Sequence, residues 1–395
     1  LKIVLLSSFY PPVARGGAEK AASLLAQALA RAGHEVVVIA CHPQREEIVE
    51  ERDGVRVYRI PLDNVYWPIG RTEKEHPLMR LLWHLIDVWN WRAARRVGRI
   101  LDREKPDVVH SHLIAGLSVA VWREARRRGI RVVHTMHDYY LVCTRSSTFR
   151  AGRTCERQCT GCRLITLPKK AASSRLDQVV SVSGFVLDRH RQFGYIADVP
   201  GSTVFNVLDA PVLEDSTRDL HEELVFGYIG KVDEGKGVGL LVEAAQRLHR
   251  ADWRLRIAGS GLEGYIEGLK QRFPDPRIEW LGFTDPDEFY RSIDVAIVPS
   301  IWADPLPYVT VEALFAGKSL IYAQSGGIPE IAALGRVVSS FAPGNAAALA
   351  ESMELALADK ETWRSGGFLD PHSADLFSGP VVAAANGACY SKGSR

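Results

Sequence analysis

VAIVPSIWADPLPYVTVEALFAGKSLIYAQSGGIPE, residues 295–330, reads as strand, loop, helix, strand and glycine-rich turn. Val295–Val298 is apolar without polar alternation and stops at Pro299, as a strand covered on both faces does. Tyr308–Ala316 supplies a helix and Leu320–Tyr322 the next strand. Two strands joined through a helix lie parallel in one sheet. The loop sets Asp304 before the helix and Glu312 inside it, and Gly326, Gly327 and Ile328 follow the second strand. A helix start and a glycine turn together at the carboxyl end of a sheet present amides that suit a diphosphate. Two carboxylates nearby can accept hydrogen bonds from sugar and ribose hydroxyls. Taken singly, Asp304 reads as a helix-start residue and Glu312 as a structural carboxylate.

The same alternation runs outward in both directions. Strands are expected at Leu224–Ile229, Leu255–Ala258 and Ile278–Leu281, with helices over Gly239–His249 and Leu262–Phe273. At the other end, Ile3–Leu6 is a strand, and SSFYPPVARGG leads into a helix with Ala21, Leu24, Leu25, Ala28 and Leu29 on one face. Val36–Ala40, Val108–His110, Val132–His134 and Val179–Val182 continue the pattern. The polar, acidic stretch Val207–Glu223 breaks it, so two α/β units follow one another. The domains expected are 1–209, carrying a cysteine-bearing insert at 143–162; a linker, 210–223; and 224–360. A tail at 361–395 is Gly-, Ser- and Ala-rich with little helical periodicity. A ligand cleft is expected at the carboxyl-end edges of the two sheets.

At 395 residues the chain is too long for one ordinary core. With 46% hydrophobic and 24% charged residues, its composition excludes disordered and fibrous classes. Residues 1–212 carry +11 and the remainder −9, summing to the net +2. The basic half suits an anionic membrane surface or an acidic acceptor; attraction between the halves explains the split equally. Residues 62–92 hold Tyr66, Trp67, Trp83, Trp89 and Trp91, which read as core or as an acceptor- or membrane-contacting region. No apolar run is long enough to span a bilayer, and Leu1–Leu6 lacks the flanks of a signal peptide. A cytoplasmic protein, peripheral at the inner membrane face or free of it, is expected. No aromatic-interleaved nucleic-acid module is visible.

GYIGKVDEGKG, residues 227–237, places Lys231 and Lys236 in a glycine-rich turn directly after a strand, within reach of a diphosphate. With these motifs the sequence resembles the retaining GT-B glycosyltransferases of family 4, the glycosyl transferases group 1, up to about residue 360. That resemblance implies two Rossmann-like domains whose parallel sheets face across a cleft. Gly230-Lys231 and Lys236-Gly237 match the family's diphosphate-holding turn, with Lys for the usual Arg. Asp304 and Glu312 match its pair of glutamates, implying contacts to the donor sugar and the ribose respectively. Gly326, Gly327 and Ile328 match the turn whose amides meet diphosphate and sugar. In FYPPVARGGAEK, Gly16 and Gly17 match the first loop near the donor phosphates, and His112 matches the strand-end histidine facing the cleft. His110 reads as pointing into the structure. His137 and Asp138, on another strand-end loop, are placed for acceptor contacts.

The activity implied is glycosyl transfer, with retention, from a nucleoside-diphosphate sugar to a saccharide or lipid-linked saccharide in cell-surface polysaccharide or glycan synthesis. Catalysis by positioning and charge stabilisation needs no cofactor. Cys143, Cys155, Cys159 and Cys162 could bind a structural zinc or stay reduced thiols. GSGLEG, Gly259–Gly264, matches a dinucleotide fingerprint by letter, but a strand–helix turn explains it; Asp285 reads as a helix cap rather than part of a metal-binding pair. The alternatives are a nucleotide-sugar epimerase or glycoside phosphorylase of the same architecture, or a degenerate binding relative. The last draws on the tail, where a helix returning to the first domain is not recognisable.

Overall fold

The structure, a computed structural model, describes residues 1–13, 16–69, 76–208 and 222–391. It divides into two compact units. Unit 1 is Leu1–Thr148, Glu156–Leu208 and Leu376–Arg395; unit 2 is Phe149–Cys155 with Asp209–Asp375. Apart from its last two residues, the expected linker 210–223 lies outside the described residues.

Unit 1 is built on β1 (Lys2–Leu6), β2 (Glu35–His42), β3 (Ile48–Arg52), β4 (Val55–Pro61), β5 (Val108–Ser111) and β6 (Arg131–Met136). A short hairpin, β7 (Phe149–Arg150) and β8 (Arg153–Thr154), belongs to unit 2; β9 (Gln178–Ser181) and β10 (Gly201–Thr203) complete the unit 1 sheet. The order is β10-β9-β6-β5-β1-β2-β4-β3, parallel except where β3 meets β4. Central strands are buried on both faces, as their unbroken apolar runs require: Val4, Val37, Val38, Val109 and Val133 are fully covered. The edge strand β3 is not anticipated from the sequence. It is short, charged and largely exposed (IVEER), which suits an edge but removes the apolar alternation by which strands are recognised.

The chain runs from β1 out through β2 and β4, then returns to β5 and runs out the other way. The direction therefore reverses between β1 and β5. Unit 2 repeats the arrangement with β11 (Leu224–Ile229), β12 (Trp253–Ala258), β13 (Ile278–Gly282), β14 (Val295–Val298), β15 (Ser319–Ala323) and β16 (Val338–Phe341). Its order, β13-β12-β11-β14-β15-β16, is wholly parallel and reverses between β11 and β14. Open α/β sheets bind ligands at the carboxyl ends of the strands flanking such a reversal.

The tail corrects the expectation made for it. Gly379–Tyr390 is a helix of unit 1, burying Val382, Ala383, Asn386, Cys389 and Tyr390. That spacing is helical, but alanines and glycines on both faces hide it from a reading by hydropathy. Tyr390 reaches the sheet, its hydroxyl 2.7 Å from His110 Nδ1, while His110 Nε2 meets Thr135 Oγ1 at 2.7 Å. Arg131 Nε donates to the carbonyl of Cys389 at 3.1 Å. The insert 143–162 is likewise not one piece, since 149–155 belongs to unit 2.

Three buried histidines brace unit 1. Beside His110, His134 Nδ1 lies 3.0 Å from Ser111 Oγ, and His190 Nδ1 2.8 Å from the Val186 carbonyl. Burial lowers all three: His110 well below the ordinary value, His134 to about 3 and His190 to about 4. In the unfolded chain they take up protons near pH 6.5, which the folded unit refuses. Unit 1 should therefore be fully stable above about pH 6.5 and weaken as pH falls towards 4, by roughly 1.4 kcal/mol per pH unit for each histidine. Urea melts at pH 7 and pH 5 test this, and an unchanged midpoint would refute it. At pH 7, Tyr390→Phe should cost about 1–3 kcal/mol, because it strips a buried ring nitrogen of its partner.

Candidate functional site

In unit 2 the carboxyl ends of β11 and β14 carry the two turns of interest. β11 ends at Ile229, and the turn runs from Gly230 (φ 145°) to Gly237 (φ 77°), where the helix Val238–Ala245 begins. The Tyr228 hydroxyl donates to the Lys231 carbonyl at 2.7 Å, and the Lys236 amide donates to Asp233 Oδ1 at 2.9 Å. After β14, the backbone amides of Ile301 and Trp302 both donate to the carbonyl of Gly235, at 2.8 and 3.2 Å. The two turns are thus stitched together by main chain. Glycine permits it: a Cβ on Gly237 would sit 2.0 Å from the Pro299 carbonyl oxygen.

This brings Lys236 and Asp304 together, 68 positions apart in sequence. The Lys236 ammonium donates to Asp304 Oδ2 and lies 5.4 Å from the centre of the Trp302 ring. Asp304 is 4% exposed, so its carboxylate leaves water only because a cation meets it. Lys231, with a side chain 71% exposed, bonds Asp233 Oδ2 at 2.9 Å. Both expected lysines therefore lie in one turn, each on a carboxylate. Asp233 and Trp302 were not singled out from the sequence. Asp233 is visible there only as an acidic residue between two lysines.

Beyond β15, Gly326 (φ 60°) passes under Asp304, where a Cβ would lie 2.0 Å from the Asp304 carbonyl oxygen. Gly327 N–H donates to that oxygen at 2.8 Å, Ile328 N–H to the Ser325 carbonyl at 3.3 Å, and Ser325 Oγ to the Trp302 carbonyl at 2.6 Å. Two of the amides expected to meet diphosphate are thus engaged within the chain, that of Gly327 on the Asp304 loop and that of Ile328 in its own turn. Glu312 is half-buried in the helix Tyr308–Phe315. Burial, then its negative charge, raises the hydroxyls of Tyr308 and Tyr290 far above their ordinary range. GSGLEG is a packing device here: Cβ atoms on Gly259 and Gly261 would lie 1.7 Å from the Gly230 oxygen and 2.0 Å from the Val232 oxygen. Asp285 caps the helix Pro286–Arg291 through the amides of Asp287 and Glu288.

In unit 1 the reversal between β1 and β5 gathers His112, His137 and the first loop. His112 follows β5 and is 3% exposed; its Nδ1 lies 2.8 Å from His137 Nε2, beyond β6. Its own Nε2 is buried without a hydrogen-bond partner, in a narrow cavity also lined by His137, Thr135, Asn206 and Asn386. Burial first, then the neighbouring histidines, lowers His112 well below its ordinary value; burial lowers His137 to about 4. Both are neutral at pH 7, so His112 can only exchange hydrogen bonds there. Asp138 instead accepts the Tyr140 amide at 2.7 Å, a local turn contact. Gly16 precedes the helix Gly17–Arg31, and residues 14–15 of the preceding loop lie outside the described residues. Arg59, missed in the sequence, fixes that loop from β4 by donating to the carbonyls of Tyr10 (3.3 Å) and Pro11.

The four cysteines are free thiols in differing surroundings. Cys143 and Cys162 share a hydrogen bond, which lowers Cys143 to about 6 and raises Cys162 to about 12. Cys159 is exposed, and Cys155 belongs to unit 2. Among the described residues, no group of three or more His, Cys, Asp or Glu is placed to hold a metal.

Residues 16–200 match the model of the glycosyl transferase 4-like domain, and residues 223–359 that of the glycosyl transferases group 1. An uncharacterized 42.6 kDa protein in the cps region of Klebsiella pneumoniae is 33% identical over 331 residues, covering 84% of this chain and 87% of that one. Among solved structures, sucrose-phosphate synthase from Thermosynechococcus elongatus superposes with a TM-score of 0.73 at 21% identity, covering 98% of each chain. Anabaena HepE, in complex with UDP and glucose, gives 0.69 at 16% identity, again covering 98% of each. The fold they share is GT-B, built from two Rossmann-like domains. With the two family models matched in succession along the chain, this protein belongs to the glycosyl transferases group 1 family and is a glycosyltransferase.

Proposed function

We propose that the chain moves a sugar from a nucleoside-diphosphate sugar to a saccharide acceptor, free or lipid-linked, with retention of anomeric configuration, in polysaccharide synthesis. The observation that carries this reading is the Lys236–Asp304 pair at the sheet reversal of unit 2. A half-buried ammonium, placed by main-chain hydrogen bonds and balanced by a carboxylate, is suited to a charge that develops during reaction. As the bond from the anomeric carbon to the diphosphate oxygen breaks, Lys236 and Lys231 take up the new negative charge. Asp304, released from Lys236, accepts a hydrogen bond from the donor sugar, and Glu312 binds the ribose. The acceptor hydroxyl attacks the anomeric carbon from the face the diphosphate leaves, and its proton passes to a diphosphate oxygen. Neutral His112 offers the donor a hydrogen bond rather than a charge. The cps-region relative supports a polysaccharide product, and the UDP bound by HepE makes UDP-sugars the first donors to try. The degenerate reading loses its support, because the C-terminal helix is present and packed in unit 1.

A thermal-shift screen against UDP-, GDP- and ADP-sugars should show one base raising the melting temperature. Silence with all three would defeat the proposal. Lys236→Ala should lower kcat roughly 10²–10³-fold, the usual loss of a donor aimed at developing charge. Glu312→Ala should instead raise the KM for donor, by roughly tenfold, with kcat little changed. Conversion of the donor sugar without any acceptor, or a requirement for inorganic phosphate, would point to an epimerase or a phosphorylase.

A further inference from the structure

The helix Pro77–Val88 and the turn that follows it keep a wide apolar face in water. One side is fixed in unit 1. Trp83, Asp87 and Val88 are buried, Trp83 Nε1 donates to the Tyr66 carbonyl at 3.3 Å, and Asp87 accepts the Gly116 amide. Asn90 ties the end of the helix down by donating to the carbonyls of Asp63 (2.8 Å) and Gly116 (2.9 Å). The other side is leucine and tryptophan. Leu78, Leu81, Leu82, Leu85 and Trp89 follow the spacing of one helical stripe and are 65, 45, 41, 53 and 39% exposed. Trp91 is exposed too, as are Leu164 and Leu167 on the helices Thr160–Ile165 and Leu167–Ser173, the first of which packs on Pro77–Val88.

Among the described residues of these helices, the exposed charge beside this face is cationic. Arg80, Arg92, Arg95, Arg163 and Lys170 are exposed, and Arg92 and Arg95 lie 5.3 and 4.8 Å from the Trp91 ring. The one carboxylate on these helices before Asp102, that of Asp87, is buried. A stripe this apolar is uncommon on a monomer and marks a contact. A second copy would bring arginine rims face to face across a two-fold axis. A saccharide would use the indoles and leave the leucines wet. Leucine, interfacial tryptophan and a cationic rim together match the boundary of an anionic bilayer. Among the described residues no helix is long and apolar enough to cross a membrane, so this one would lie in its surface.

We propose that Pro77–Trp91 is an interfacial anchor that docks unit 1 on an anionic membrane, its leucines entering the acyl boundary and its arginines meeting lipid phosphates. The inference goes beyond the catalytic reading and does not depend on it. Flotation of the full chain with phosphatidylcholine vesicles, with and without phosphatidylglycerol, tests it. Binding should need phosphatidylglycerol and fall as salt is raised. It should weaken roughly hundredfold in Leu81→Glu/Leu85→Glu and roughly tenfold in Arg92→Ala/Arg95→Ala. Both pairs are exposed, so the melting temperature and the donor-induced shift should stay unchanged, which separates failure here from failure of the transferase reading. The proposal is overturned if the wild type does not float, if the leucine variant floats equally well, or if sedimentation shows the face buried in a dimer.

Discussion

Backbone passes backbone in unit 2 at distances that leave no room for a side chain, and the candidate site depends on those crossings. Gly237 lies under the Pro299 carbonyl, Gly259 under that of Gly230, and Gly326 under that of Asp304. Each glycine lets one strand-end turn rest on another, so that β11, β12, β14 and β15 finish in a single layer of turns. Only in that layer does the Lys236 ammonium meet the Asp304 carboxylate. An alanine at any of the three would push the turns apart and separate the pair, without touching a charged group.

Unit 1 solves a different problem. Its sheet reversal is filled by imidazoles rather than ions, and burial keeps them neutral. Such rings can pass hydrogen bonds along the strand ends without the cost of a buried charge. The row reaches from Tyr390 through His110 to Thr135, with His112 and His137 beside it. The C-terminal helix therefore completes the polar interior behind His112, although it is the last element of the chain. In the proposed reaction the cations of unit 2 stabilise the leaving diphosphate and the neutral imidazoles of unit 1 orient a sugar.

Much of this was legible in the sequence. The apolar runs of β1, β2, β11 and β14 announced themselves because strands buried on both faces must be continuously hydrophobic. The lysines of the β11 turn and the Asp304–Glu312 pair stood out for their place at strand ends. The edge strand β3 and the C-terminal helix did not. A solvated edge needs no apolar alternation, and a helix lined with alanine and glycine carries too little contrast between its faces. The four cysteines are close in sequence, yet the chain carries residues 149–155, Cys155 among them, into the other unit, a placement that spacing alone does not record.

By itself, then, the order of residues determined the central strands, the helices between them, the two α/β units and the family, since each follows from local periodicity or from short motifs. What only the tertiary structure decided is which groups are already spoken for. The Gly327 amide holds the Asp304 carbonyl, the Ile328 amide and Asp138 close their own turns, and His112 keeps one nitrogen unpartnered in a cavity. The partners that join separate strand ends, such as Lys236 with Asp304 and His112 with His137, lie tens of residues apart in sequence, and their pairing is set by how strand ends stack, which no local pattern records.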